Sequence, residues 1–378
     1  MPSKFSVPIA LSACTALCLT LAACGSGAGS DSASPAVSPQ AAKAAVDQAE
    51  TTYTKYTRPQ PATGVPALPS APPQNKRFTI ITCPIPVCAV FADGAATAAR
   101  KLNWKVTTLQ TDNTPESYVK LINQVAENPP DALTYIPLMP DSAIGPQLAK
   151  LQAAGTKISE ASPLGNVLPD NGSIQAIVNG PKATSLSGTL MGSAIVADAK
   201  GAARSVFVWD PSFSAGWGPI KDSFEKAVEG AGGSVDVLQV SNANVGKTIA
   251  SQIVSYLQSH PNTRYVGLPV VDYIPGLTAA LQAAGIGDKV KVISRAANSA
   301  ALAEIKAGTE WASVALELAA SGYRVVDQLV RLTMGVALDG LADDAGWQEI
   351  VVASNVGQTT GTEPPNYAQT YYTAWRVG

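Results

Sequence analysis

From Phe78 onward the chain alternates between short β-forming runs and longer runs with apolar residues at helical spacing. The first run is Phe78–Thr82, and behind it Ala89, Ala92, Ala96, Ala99 and Leu102 recur at steps of three and four, which predicts a helix. Lys105–Leu109 predicts the next strand, and Thr114-Pro115-Glu116 opens the next helix with an N-cap followed by proline at the first helical position. Strand Asp131–Ile136, a helix over 141–153 stopped by Gly155, and strand Lys157–Ala161 follow. After Ile174–Val178 the alternation restarts with a long helix over 181–199. Strands Ser205–Trp209, Val235–Val240, Tyr265–Leu268, Val290–Ile293 and Ala312–Leu316 are then separated by helical stretches, and a helix over 319–334 closes the series. Repeated β–α–β units give a parallel sheet covered by helices on both faces. Two such series predict an α/β chain of two doubly wound parallel-sheet lobes. Ligands of such sheets bind beyond the strand C-termini, so two facing lobes create a cleft.

The N-terminus sets an address. Lys4 precedes an apolar stretch from Val7 to Leu19, which is broken by Pro8, Ser12 and Thr15 and falls short of the ~20 residues a membrane span needs. Leu21-Ala22-Ala23-Cys24 has the shape of a lipobox, so residues 1–23 read as a lipoprotein signal peptide and Cys24 as the lipidated residue. An ordinary cleaved signal with an incidental Cys24 is the alternative. Residues 24–75 read as a tether: a Gly/Ser/Ala tract, a helix over 41–57, and a stiff spacer with Pro59, Pro61, Pro66, Pro69, Pro72 and Pro73. The globular part is expected to start near Lys76.

Few function classes survive this reading. A net charge of −2 with only 14% charged residues leaves no basic patch for nucleic acid. With Cys14 and Cys18 in the signal and Cys24 lipidated, Cys83 and Cys88 remain, either as a disulfide or as two buried thiols. Neither they nor the single histidine, His260, make a zinc site, and His260-Pro261 reads as a turn. No nucleophile elbow, P-loop or zinc-protease motif occurs, which argues against an enzyme, and no cofactor is implied.

Several segments, in order, carry a family resemblance: Asp93-Gly94-Ala95 with Ala98-Ala99 and Leu102-Asn103-Trp104; Asp112-Asn113-Thr114; Asn123 to Pro137; Leu281 to Gly285; and Ile305 to Gly308 followed by Ala312-Ser313-Val314. Across roughly residues 76–340 the chain resembles the type I periplasmic binding proteins of the ribose/galactose class. The resemblance implies an N-terminal lobe of 76–179 plus 317–347, a C-terminal lobe of 180–316 plus 348–378, and hinge closure on ligand. It also implies a monomeric solute-binding subunit of an ABC importer, partnered by a membrane permease, with a sugar or polyol as ligand.

The family's ligand residues are mostly replaced. Val87-Cys88 stands where paired phenylalanines are common, Ile220 where an arginine is expected, Val271-Asp272 for Asn-Asp, and Arg295 for an aspartate. Asp272 therefore survives as a ligand candidate. Asp210, Phe213 and Trp217 sit in a loop that should open on the cleft, with Trp217 either a stacking platform or a packing residue. Arg295 either forks onto a ligand carboxylate or hydroxyl pair, or pairs with Asp272. Asn113, Ser162 and Asn298 are hydrogen-bonding candidates or ordinary turn and cap residues. Glu317 lines the hinge or faces solvent, and Cys88, if bonded to Cys83, stiffens one wall of the cleft. Arg295 and Trp217 motivate a second ligand class, a carboxylate-bearing or aromatic small molecule. A sensory module presenting its ligand to a membrane receptor is a further reading.

Overall fold

The computed structural model describes residues 37–163, 172–358 and 362–378. The expected signal peptide, Cys24 and the start of the expected tether lie outside the described residues. The first described element is helix α1 (Pro39–Tyr56).

The N-terminal lobe is built on β1 (Arg77–Thr82), β2 (Lys105–Gln110), β3 (Ala132–Tyr135), β4 (Lys157–Ala161) and β5 (Ala176–Val178). They form a 5-stranded parallel sheet in the order β2-β1-β3-β4-β5, connected by α2 (Pro86–Lys101), α3 (Pro115–Glu127) and α4 (Gly145–Ala153). The C-terminal lobe holds β6 (Arg204–Trp209), β7 (Ser234–Gln239), β8 (Tyr265–Leu268), β9 (Lys291–Arg295), β10 (Ala312–Leu316) and β11 (Gln348–Val352). Its 6-stranded sheet runs β11-β10-β9-β8-β6-β7, and only β11 is antiparallel. Helices α5 (Pro181–Ala199), α6 (Ser214–Gly230), α7 (Ile249–Ser259), α8 (Leu277–Ala283) and α9 (Ser299–Ala307) cover it. Then α10 (Leu318–Met334) returns to the first lobe, and α11 (Tyr367–Trp375) ends the chain's regular structure.

Local chemistry explains the elements. The central strand β3 is buried along its whole length, whereas the edge strands β2 and β7, with sequences KVTTLQ and SVDVLQ, are largely exposed. At the start of α3, Thr114 Oγ1 accepts from Ser117 N at 3.2 Å, with Pro115 at the first helical position. Gly308 and Gly335 end α9 and α10 in the left-handed conformation.

Two expected boundaries are corrected. Residues 39–75 are not a free tether. Helix α5 is apolar nearly all round and cannot leave its outer side wet. Helix α1 covers it, placing Ala45, Val46, Ala49, Tyr53 and Tyr56 against the C-terminal lobe core. The proline-rich segment then runs as a strap to the other lobe. Trp347 Nε1 donates to Gln60 O at 3.0 Å, Asn355 Nδ2 to Thr57 O at 2.8 Å, and Trp104 Nε1 to Pro73 O at 2.7 Å. Leu68 is fully buried in the N-terminal lobe core, and its N–H donates to Ala374 O. The second correction concerns the C-terminus. Residues 348–352 belong to the C-terminal lobe, but α11 packs Tyr371 and Trp375 with Tyr323 in the N-terminal lobe core. A buried Trp375 needs a partner for its N–H, and Asp327 on α10 accepts it at 2.8 Å.

One contact recurs in both lobes. A Cβ on Gly94 of α2 would lie 2.3 Å from Ala319 O of α10, and one on Gly188 of α5 would lie 2.1 Å from Ile220 O of α6. Each helix pair therefore meets backbone against backbone.

Because the strap completes the core, Leu68→Ala should lower unfolding free energy by about 2–5 kcal/mol, read by urea denaturation. A loose spacer would give no change.

Candidate ligand-binding cleft

The strand C-termini of both sheets face one cavity of about 130 Å³, room for one small molecule. The N-terminal lobe contributes the β1–α2 loop and the segments after β2, β3, β4 and β5. The C-terminal lobe contributes the loops after β6, β7, β8 and β9. Leu316 and Leu318, either side of the crossing into α10, close the hinge side.

Of the candidates, Cys88, Asn113, Ser162, Phe213, Trp217, Asp272 and Arg295 line this cavity together. Phe213 and Trp217 stack at 5.2 Å with 26° between planes, and Tyr273 meets Trp217 edge-on at 6.1 Å. Cys83 and Cys88 are bonded and both line the wall. The bond ties the end of β1 to the first turn of α2 and holds Ile85 and Val87 between them.

Arg295 and Asp272 do not pair with each other. Arg295 Nε donates to Ser187 Oγ at 2.9 Å, and Ser187 is bonded in turn to Gln348 Oε1. Burial without a carboxylate partner pulls the guanidinium down to about 10. Asp272 is buried, its Oδ2 has no hydrogen-bond partner, and desolvation pushes its carboxyl up to about 6. An unpaired acceptor and an under-used donor fork thus share one wall.

Three candidates do not line the cavity. Asp210 lies beneath it, accepting from Ser212 N at 2.9 Å and Asn242 N at 2.7 Å. It ties the turn before α6, which carries Phe213, to the loop after β7. Asn298 caps α9, its Oδ1 accepting from Ala301 N at 2.9 Å. Glu317 is buried at the lobe crossing, where Arg324 bridges it to Asp344. Burying such a carboxylate requires a paired cation, which explains its withdrawal from the cleft. His260 stacks on Tyr256 at 4.1 Å on the surface, away from the cleft.

Sequence reasoning missed Asn179, Thr184 and Asn242, together with much of the apolar lining: Ile85, Phe91, Ile136 and Leu138. The strand-end rule would have found Asn179, which directly follows β5, and Asn242, just beyond β7. Backbone geometry marks the site as well. Asn113, Ser162, Asn179 and Ala296 line the cavity with φ of 69°, 54°, 52° and 66°. Asparagine tolerates that region, but at Ser162 and Ala296 it costs about 1–2 kcal/mol each. Such strain clusters at ligand sites.

The architecture is that of a two-lobed α/β protein with a cavity between the lobes. Residues 78–336 match the family described as periplasmic binding protein domain, and the chain belongs to that family. Solved structures share the fold at low identity. A glucose-galactose binding protein from Geobacillus stearothermophilus is 16% identical with a TM-score of 0.64, covering 75% of this chain and 99% of its own. A solute binding protein from Actinobacillus succinogenes with bound D-allose is 15% identical with a TM-score of 0.66, covering 75% and 100%. A 5-methylthioribose transporter solute binding protein from Thermotoga lettingae is 15% identical with a TM-score of 0.66, covering 81% and 94%. No curated protein is similar enough in sequence to count as a match.

The Asp272 carboxyl is held well above its ordinary 3.8, so the folded state binds its proton more tightly than the unfolded chain does. Its contribution is fully present below pH 3.8 and is lost as pH rises through about 6. Asp272→Asn should therefore raise the stability of the ligand-free protein at pH 7 and leave it nearly unchanged at pH 4. Denaturant titrations of both proteins at the two pH values check this.

Proposed function

We propose that this protein is the extracytoplasmic solute-binding subunit of an ABC-type importer, lipid-anchored through Cys24, and that its ligand is a small neutral sugar or polyol. Ligand binding in the cleft draws the lobes together, and a membrane permease recognises the closed form. The protein binds and releases its solute without transforming it, as a monomer.

The observation that carries the ligand class is the pairing of opposite buried charges that do not satisfy each other. Asp272 offers an acceptor without a partner, and the Arg295 side chain hydrogen-bonds only through Nε among the described residues. Adjacent hydroxyls supply both a donor for the carboxylate and acceptors for the guanidinium fork. The stacked pair Phe213–Trp217 suits the apolar C–H face of a sugar. An anionic ligand would gain from Arg295 but would meet Asp272 on the same wall. The sugars bound by the structural neighbours support the same class.

A thermal-shift screen of neutral sugars, polyols and carboxylates tests this. Binding linkage at 100-fold excess over Kd stabilises by about 2.7 kcal/mol. Sugars or polyols should raise Tm, and Arg295→Ala and Trp217→Ala should each abolish the shift. A shift produced by carboxylates alone would replace this reading with the anion-binding one.

A further inference from the structure

The two halves of the cavity differ in chemistry. Both charged groups of the lining, Asp272 and Arg295, belong to the C-terminal lobe, as do the stacked rings. Among the described residues, the N-terminal lobe half of the lining holds no ionisable side chain. Its surface is made by Ile85, Phe91, Ile136, Leu138 and the Cys83–Cys88 disulfide, and Pro137 lacks a backbone donor. Its polar groups are Asn113, Ser162 and Asn179, and Asn179 Oδ1 already accepts from Ser321 Oγ. Val87 extends from this half to pack against the C-terminal lobe clusters together with Trp217.

A molecule hydroxylated all round would press several hydroxyls against this apolar half. Each hydroxyl that exchanges water for no partner costs about tenfold or more in affinity. An apolar group in the same place gains from leaving water and fills the void with dispersion contacts. We infer that the ligand is amphipathic: a sugar or polyol with one apolar substituent, alkyl, alkylthio or aryl. The hydroxyls face Asp272 and Arg295, and the substituent faces the wall of Ile85, Ile136, Leu138 and the disulfide. This inference rests on the sugar-or-polyol reading and narrows it.

The test is calorimetric titration of the full mature chain with matched pairs, ribose against 5-methylthioribose and glucose against phenyl β-glucoside. In at least one pair the substituted member should bind about tenfold tighter or better. Ile136→Thr and Leu138→Thr, both at half-buried positions, should shrink that ratio by weakening the substituted member more than the unsubstituted one. Thermal melts verify that each variant is folded. If unsubstituted members bind as tightly as, or more tightly than, their partners, the inference is overturned and the sugar-or-polyol reading stands. If no member of any pair binds while a carboxylate does, that reading fails and the inference falls with it. A ratio unmoved in folded Ile136→Thr and Leu138→Thr also overturns the assignment of the wall.

Discussion

Two glycine-mediated helix contacts organise the molecule. Helix α2 rests on α10 at Gly94, and α5 rests on α6 at Gly188. In each pair one helix carries cavity-wall residues at its N-terminus: the disulfide loop on α2, Phe213 and Trp217 at the start of α6. The other, α10 or α5, begins within two residues of a crossing between the lobes. Side chains that mesh can slide by a rotamer, but backbones in contact cannot. The walls of the cleft are therefore coupled to the hinge segments by the stiffest kind of packing a helix pair offers. The buried Glu317–Arg324–Asp344 cluster and Glu363, whose carboxylate accepts from Ala319 N and Ala320 N, fix the start of α10 in the same way.

The alternation of strand and helix was legible because the inner parallel strands are buried on both faces, and composition alone then reveals them. Phe78–Thr82 and Ala132–Tyr135 are such runs. The edge strand Ser234–Gln239 was legible for another reason, the alternation of Val235 and Val237 with polar residues, although Val237 is itself exposed. What stayed hidden was the fate of residues 39–75. Helix α1 is polar enough, and the following segment proline-rich enough, to read as solvated chain. The cue lay elsewhere, in α5, where Leu190, Met191, Ile195 and Val196 leave no face for water. A helix dry all round requires a cover, but nothing local says which segment supplies it. Tyr371 and Trp375 were hidden for a similar reason, because a short terminal helix does not announce which lobe it joins.

The site divides along the same line. Residues at or just beyond strand ends, such as Asn113, Ser162 and Arg295, were legible because topology places them at the cleft. Asp210 follows a strand too, yet it turns inward to hold two loops together, a choice made by the backbone N–H groups of Ser212 and Asn242. Asn298 and Glu317 were likewise claimed by local needs, a helix cap and a buried cation. The apolar half of the lining was invisible because isoleucine and leucine in a wall look the same as isoleucine and leucine in a core.

The strap has a mechanical meaning. Its prolines carry no N–H, so its hydrogen bonds run mostly one way, from side chains of both lobes to its carbonyls. A pull applied at the N-terminus reaches α1 first and is borne by the C-terminal lobe. The lobe holding Asp272 and Arg295 takes that load directly, and the disulfide-walled lobe takes it only through the strap and the crossings between the lobes.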